Sequence, residues 1–242
     1  MTALTLHYHP LSSYCQKVLI ALDAMGIDAE KRMLNLGDPA ERAAFLALWP
    51  TGKMPLLVDQ GQPVAESSII IEYLQCHYAP EDAWLIPQDA AAALQVRLWD
   101  RLFDQYVMTP MQALTANLLR AEPQRDALCE QQARDKLAEA YAWIDAHLAG
   151  RTWAATDRFS LADCAAAPAL FYAVTYVPFG SHQAHVRTYF ERLMDYLPVA
   201  RAVDAARPFF QYYPGRAGLS TEFFDPASSE PTPNHQLRHD PS

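Results

Sequence analysis

The segment HPLSSYCQKV, residues 9–18, places hydroxyl and thiol side chains where an apolar strand gives way to a helix. The first N–H groups of a helix are unpaired and carry about half a positive charge, so they favour an anion such as a thiolate. A hydroxyl at Ser12 could donate a hydrogen bond to a bound thiolate and so lower the pKa of its thiol. In the simpler alternative, Ser12 or Ser13 is only the N-cap of the helix.

Two later segments carry groups that suit a peptide-like ligand. In TGKMPLL, residues 51–57, a cis bond before the proline would leave the main-chain groups of Met54 free to pair with an extended ligand. In PVAESS, residues 63–68, Ser67 opens a helix and could bind a carboxylate, while Glu66 could hold an ammonium group. Together they would receive an amino-acid head group. The ordinary alternatives are a strand-initiating proline and a helix cap beside a surface acid.

The elements that must position these groups follow from the hydrophobic periodicity of residues 1–80. The strand–helix–strand start implies a parallel pair, and the turn at Gly61 implies an antiparallel hairpin. The predicted order is β-α-β-α-β-β-α, with strand 4–8, helix 14–25, strand 30–36, a helix from Asp38, strands 55–59 and 62–66, and a helix from Ser67.

From residue 89 onward the periodicity is almost purely helical, and Pro110 is expected to kink or end the first long helix. We therefore predict an α+β chain with a first domain over residues 1–80 and an all-helical domain over residues 89–215. Residues 216–242 are rich in proline and serine, which predicts an extended or disordered tail.

Four separated motifs, in order, resemble the glutathione transferase family. PLSSYC, GKMP and ESSIIIEYL are similar to its thioredoxin-like half, and FSLADCAAAP, residues 159–168, is similar to a capping box and hydrophobic staple of its helical half. The resemblance covers roughly residues 3–213. It implies a thioredoxin-like domain followed by a helical bundle, with glutathione as co-substrate.

The resemblance also implies roles for particular residues. The thiol of glutathione would lie at Ser12, as in serine-type, theta- or zeta-like members. Tyr8, in the place of the tyrosine of tyrosine-type classes, and Cys15 remain alternatives, as does Ser13. The rest of glutathione would contact Lys53, Met54, Pro55, Glu66 and Ser67. The hydrophobic electrophile would contact Tyr106, Met108 and Tyr176.

The function implied is conjugation of the glutathione thiolate to a small hydrophobic electrophile, as in detoxification. Isomerisation, reduction or dehalogenation on the same site is an alternative, although Tyr14 interrupts the contiguous Ser-Ser-Cys of maleylacetoacetate isomerases. A non-catalytic binding or scaffold protein is another. Such a protein would have no need of Ser12, Pro55, Glu66 and Ser67 together, which favours the enzyme.

Composition excludes several other classes. The formal net charge is −9, from 19 basic and 28 acidic residues, so neither a nucleic-acid surface nor a polybasic membrane anchor is expected. His7 and His9 share a strand face but lack a third ligand, so no metal site is expected. The four cysteines are scattered, which indicates reduced thiols in the cytoplasm. We expect a homodimer from the resemblance, with Trp99 and Phe103 as surplus apolar surface.

Overall fold

The computed structural model describes residues 4–223. The first half has the predicted order of strands and helices. Its elements are β1 (Thr5–Tyr8), α1 (Ser13–Ala24), β2 (Glu30–Met33), α2 (Pro39–Leu48), β3 (Leu56–Asp59), β4 (Gln62–Ala65) and α3 (Ser67–His77). The second half contains α4 (Ala90–Leu102), α5 (Thr109–Leu118), α6 (Ala127–Leu148), α7 (Leu161–Ala173), α8 (Ala184–Asp195) and α9 (Leu197–Ala206).

The four strands form one mixed sheet in the order β2-β1-β3-β4. The β1–β2 pair is parallel, and the β1–β3 and β3–β4 pairs are antiparallel. The hairpin between β3 and β4 turns through Gln60 and Gly61, which both have positive φ, the backbone of a two-residue type I′ turn. The predicted fold class, a thioredoxin-like domain followed by an all-helical domain, is confirmed.

The helix α1 is the structural link between the two halves. It packs against α3 on one side and against α7 and α9 of the helical half on the other. Buried side chains of the sheet, such as Leu6 and Leu57, therefore share one hydrophobic core with those of α7, such as Leu170. Because α1 is held by both halves, the position of its N-terminus, which carries Ser12, is set by the whole molecule.

Helices α4 and α5 are joined by a π-helical turn over Phe103–Met108, directly before Pro110. Because proline has no N–H to donate to the helix, we predict a kink or a helix end at Pro110, and the structure has a π-helical turn there instead of a regular helix. Trp99 and Phe103 lie in the core, which corrects their assignment as surplus surface. Leu94 and Leu98 are the apolar side chains that α4 exposes.

The beginning of the predicted tail is ordered. Residues 216–218 form a short 3₁₀ turn, and the Phe223 ring packs edge-on against Phe171 and under the guanidinium of Arg207. The extended segment therefore cannot begin at residue 216, since aromatic packing orders the chain through Phe223. Residues 224–242 of the predicted tail lie outside the described residues. Within the described range, none of the helices is long and apolar enough to cross a bilayer.

Candidate active site

Ser12 is the N-cap of α1. Its backbone is extended, with φ −76° and ψ 115°, and its hydroxyl oxygen accepts a hydrogen bond from the N–H of Cys15 at 3.4 Å. Ser13, the alternative cap, is the first helical residue and is buried. A hydroxyl that accepts through its oxygen still has its proton to donate. Ser12 can therefore cap the helix and donate to an anion at the same time.

The alternatives to Ser12, Cys15 and Tyr8, have different surroundings. Cys15 is fully buried, and burial raises the pKa of its thiol to about 12, which disfavours the thiolate that a nucleophile needs. Tyr8 lines a separate cavity between α1 and α9, beside Asp23 and Arg201. Burial raises the pKa of the Tyr8 phenol. The structure does not bring these two side chains to the cavities that flank Ser12.

One cavity, called the polar cavity below because its lining is mostly polar, is formed by residues of both halves of the chain. The bond between Met54 and Pro55 is cis, as proposed from the sequence. The lining residues include Tyr14, Lys53, Met54, Pro55, Glu66, Ser67, Arg101, Asp104 and Gln105. All five predicted glutathione contacts beyond Ser12 therefore line one cavity.

Glu66 has an unusual backbone conformation. It precedes the first residue of α3 with φ +68° and ψ 119°, and its side chain makes no capping hydrogen bond. Positive φ is strained for a residue with a Cβ, and such strain costs on the order of 1–3 kcal/mol. The exposed carboxylate lies beside Ser67 and the unpaired N–H groups of α3. This arrangement places an acceptor for an ammonium group next to donors for a carboxylate.

A buried charge cluster forms the wall behind this cavity. The Lys17 ammonium is fully buried and contacts a carboxylate oxygen of Asp104 at 2.9 Å and the hydroxyl of Ser68 at 3.0 Å. It also pairs with Asp100, whose carboxylate accepts a hydrogen bond from Ser68 at 2.8 Å. Arg101 pairs with Asp104 from the solvent side. Two cations thus balance two carboxylates and tie α1, α3 and α4 together.

Asp104 belongs to both the cluster and the cavity. Its Oδ2 accepts hydrogen bonds from Lys17 and Arg101, while its buried Oδ1 has no hydrogen-bond partner among the described residues. Burial raises the pKa of this carboxyl, and the neighbouring Lys17 opposes the shift. The wall that contains Glu66 thus also contains a carboxylate with one oxygen that has no partner among the described residues. Sequence reasoning missed Asp104, although its i, i+4 spacing from Asp100 places both on one helix face.

Two further cavities flank the turn that carries Ser12. The first is lined by Ser12 itself together with Leu11, Met111, Thr115, Tyr172 and Tyr213. The second lies on the other side of Leu11 and is lined by His9, Met54, Phe209 and Tyr212. Their walls are mostly apolar, which suits a hydrophobic molecule held beside Ser12.

The three residues predicted to contact the electrophile do not line these two cavities. Met108 is fully buried in the core, and Tyr106 is 55% exposed on a different groove, beside Trp143. Tyr176 is buried and hydrogen-bonded to the hydroxyl of Thr115. The π-helical turn, with its wider repeat, shifts the helix face, so that Met111 rather than Met108 reaches the cavity beside Ser12.

Comparison with known proteins identifies relatives of this chain. Residues 6–82 match the family model described as glutathione S-transferase, N-terminal domain, and residues 106–196 match glutathione S-transferase, C-terminal domain. Glutathione S-transferase 3 of Zea mays is 32% identical over 220 residues, which cover 87% of this chain and 93% of that protein. Maleylacetoacetate isomerase of Pseudomonas aeruginosa is 31% identical over 171 residues, covering 69% and 79%.

A solved structure has the same fold. The crystal structure of a glutathione S-transferase from Methylobacillus flagellatus with GSH bound has a TM-score of 0.73 and 28% sequence identity. The match covers 83% of this chain and 98% of that one.

Among residues 4–223, no group of three histidine, cysteine or acidic side chains is placed to hold a metal ion.

Proposed function

The chain belongs to the glutathione S-transferase family, and we propose that it conjugates the thiolate of glutathione to a small hydrophobic electrophile with Ser12 as the group that activates the sulfur. The observation that carries the proposal is the position of Ser12. It caps α1 and lines an apolar cavity, and Tyr14, two residues further along the chain, lines the polar cavity.

Glutathione would occupy the polar cavity in an extended form. Its γ-glutamyl ammonium would face Glu66 and Asp104, and its γ-glutamyl carboxylate would face Ser67 and the N-terminus of α3. The main chain of Met54 would pair with the cysteinyl residue, and exposed Lys53 would meet the glycyl carboxylate. This orientation directs the sulfur towards Ser12.

The chemistry needs a thiolate near neutral pH, where a free thiol is mostly protonated. The Ser12 hydroxyl and the N-terminus of α1 stabilise the charged sulfur, and the thiol proton leaves to water. The thiolate then forms a carbon–sulfur bond while the leaving group departs with its electron pair. The two apolar cavities that flank the Ser12 turn would hold the electrophile close to the thiolate.

A first experiment separates this enzyme from a scaffold protein of the same fold. The full chain should be retained on immobilised glutathione, be eluted by free glutathione, and then conjugate a generic aryl halide such as 1-chloro-2,4-dinitrobenzene. Retention without turnover on any electrophile would favour a binding role. Failure to bind glutathione would refute the proposal.

Isomerisation remains a second candidate because a maleylacetoacetate isomerase is among the relatives. Tyr14 weighs against it, since it separates the serine pair from Cys15 and lines the polar cavity. Reduction and dehalogenation would use the same thiolate. Assaying maleylacetoacetate, an organic hydroperoxide and a haloalkane beside the aryl halide ranks these activities directly.

The setting of the reaction is also part of the proposal. We expect a detoxifying enzyme of the cytoplasm that works as a homodimer. Support for the dimer comes from exposed apolar side chains on adjacent faces of α3 and α4, Ile69, Leu94 and Leu98.

A further inference from the structure

His9 is fixed by the same turn that positions Ser12. Its main-chain oxygen accepts the N–H of Ser12 at 3.0 Å, and its ring Nδ1 accepts the N–H of Leu11 at 3.2 Å. The ring also packs edge-on against Phe209, with 5.2 Å between ring centroids. The orientation of the imidazole is therefore tied to the backbone that carries Ser12.

The bond from Leu11 also determines where the imidazole carries its proton. A nitrogen that accepts a main-chain N–H cannot itself be protonated, so the neutral ring has its proton on Nε2. Burial lowers the pKa of His9, which favours this neutral form. Within residues 4–223, the Leu11 N–H is the polar partner of the ring, so the Nε2–H is left to donate to a ligand.

The cavity that His9 lines, of about 520 Å³, adjoins both parts of the proposed active site. It shares Met54 with the polar cavity and Leu11 with the cavity that Ser12 lines. Asn35 and Tyr212 also line it and carry donors of their own, but His9 is hydrogen-bonded through its main chain to Ser12 itself. His9 therefore presents a hydrogen-bond donor to a largely apolar space next to the turn that carries Ser12.

We propose that His9 contacts the electrophile and selects α,β-unsaturated carbonyl compounds, through a hydrogen bond from Nε2–H to the carbonyl oxygen. The inference rests on the proposed function and names its substrate class. The thiolate forms a bond to the β-carbon, the alkene electron pair moves to make the enolate, and the carbonyl pair moves onto oxygen. Nε2–H stabilises this oxygen, and the α-carbon then takes a proton from water.

A hydrogen bond from His9 should affect addition to an unsaturated carbonyl compound more than displacement at an alkyl halide. In a displacement at an alkyl halide, negative charge leaves with the halide and no carbonyl oxygen needs a donor. In the addition, charge grows on one oxygen, where a preorganised donor in an apolar cavity contributes most. The useful quantity is therefore the ratio of kcat/KM for a 2-alkenal to that for a benzyl halide.

The test uses trans-2-nonenal and benzyl chloride with the full chain and its variants His9→Asn, His9→Gln and His9→Phe. Asn retains an acceptor for the Leu11 N–H but offers no donor at the Nε2 position. The longer Gln side chain can bring an amide N–H to that position. We expect the alkenal-to-halide ratio to fall about tenfold or more in the Asn and Phe variants and to recover in the Gln variant.

Several results would overturn the assignment of His9. An equal fall with both electrophiles would mean that His9 only supports the turn, and a Gln variant no better than Asn would show that no donor is needed. If the thermal transition shows that His9→Phe does not fold, the comparison of His9→Asn with His9→Gln still tests the role of His9. A wild-type protein active on benzyl chloride alone refutes this inference only. One that neither binds glutathione nor acts on either electrophile refutes the proposed function.

Discussion

The hydroxyl of Ser12 caps a helix and is also proposed to stabilise a thiolate, and the two roles can be measured separately. Its oxygen caps α1 through the N–H of Cys15, and its proton is proposed to stabilise the glutathione thiolate. Removal of a cap acts on the free energy of unfolding, typically by about 0.5–2 kcal/mol. Removal of the donor acts on the pKa of the bound thiol and on the rate.

We expect Ser12→Ala to raise the pKa of bound glutathione and to lower kcat/KM about ten- to hundredfold near neutral pH. This range corresponds to a hydrogen bond to a charged group, worth about 1.5–3 kcal/mol. The absorbance of the bound thiolate measured against pH gives the pKa directly. Ser13→Ala, one residue along, is the matched control and should change neither quantity strongly.

Tyr8→Phe is the decisive comparison for this assignment. Tyr8 lines a separate cavity beside α9, so its hydroxyl should not affect the bound thiol. If Tyr8→Phe abolished conjugation while Ser12→Ala retained it, the protein would be tyrosine-type and the role given to Ser12 would be wrong.

Glu66 provides a second prediction, because its strained backbone and its carboxylate can be tested apart. Glu66→Ala removes the carboxylate but keeps a Cβ at φ +68°, whereas Glu66→Gly removes both. We expect glutathione binding to weaken in both variants, with Gly more stable than Ala by about 1 kcal/mol. Calorimetric titration with glutathione and chemical denaturation measure the two effects. A Gly variant less stable than Ala would contradict the strain argument.

The residues that sequence reasoning located share a local signature. Ser12, Pro55 and Ser67 each lie at the start of a helix or strand, where capping and proline rules apply to a few neighbouring residues. Tyr14 of α1 and Asp104 of the π-helical turn follow no such rule, because they line the same cavity only when the two halves of the chain pack together. Their roles depend on contacts between residues distant in sequence.

At the scale of elements, the buried cluster of Lys17, Asp100 and Asp104 fixes α1 against α3 and α4. From the sequence alone, these three charged residues would be predicted to lie on the surface, since a lysine is rarely fully buried without partners. The three partners of Lys17 come from α3, α4 and the π-helical turn, so no pattern within α1 predicts them. The predicted electrophile contacts failed for a related reason. They assumed a regular helical repeat, and the sequence pattern does not reveal the π-helical turn.

The cluster leads to a third prediction, about stability and pH. Lys17→Met leaves two buried carboxylates without their central cation, and we expect a loss of about 3–5 kcal/mol in the free energy of unfolding at pH 7. The folded-state pKa of Asp104 is already raised and should rise further in this variant. A raised carboxyl pKa means that the folded state binds the proton more readily than the unfolded chain.

The sign of the pH effect follows from this linkage. Stability associated with Asp104 is greatest in acid, below its unfolded pKa, and is lost as pH rises through the folded pKa. The deficit of Lys17→Met relative to wild type should therefore shrink as pH falls from 7 to 5. Urea denaturation at both pH values measures it. A deficit that stays constant or grows in acid would show that the lost lysine acts through packing alone.

For the whole molecule, the two halves form one structural unit because α1 contributes to a core shared with α7. The polar cavity likewise uses Lys53, Met54 and Glu66 from the first half and Arg101 and Asp104 from the second. Neither half has the complete set of groups proposed to hold glutathione. The proposed active site therefore needs both halves of the chain, even though each half has its own sequence signature.

One apolar surface of this unit is left uncovered by residues 4–223. Leu94 and Leu98 of α4 are 64% and 44% exposed, and Ile69 of α3 is 54% exposed. Arg97 of α4 binds the carboxylate of Glu72 on α3 through two hydrogen bonds, of 2.9 and 2.8 Å, which hold the two helices side by side. A second copy would bury these side chains and gain about 25 cal/mol for each Å² of apolar surface removed from water.

The last prediction tests this surface. We expect sedimentation at micromolar concentration to give twice the 27.2 kDa mass of the chain, and Leu98→Glu to shift the protein towards the monomer because it would place a charge in a desolvated interface. Leu128→Glu is the matched control, because Leu128 is 67% exposed but lies on α6, so that variant should stay dimeric. A clean wild-type monomer would refute the dimer, and a Leu98→Glu variant as dimeric as wild type would move the interface away from α4.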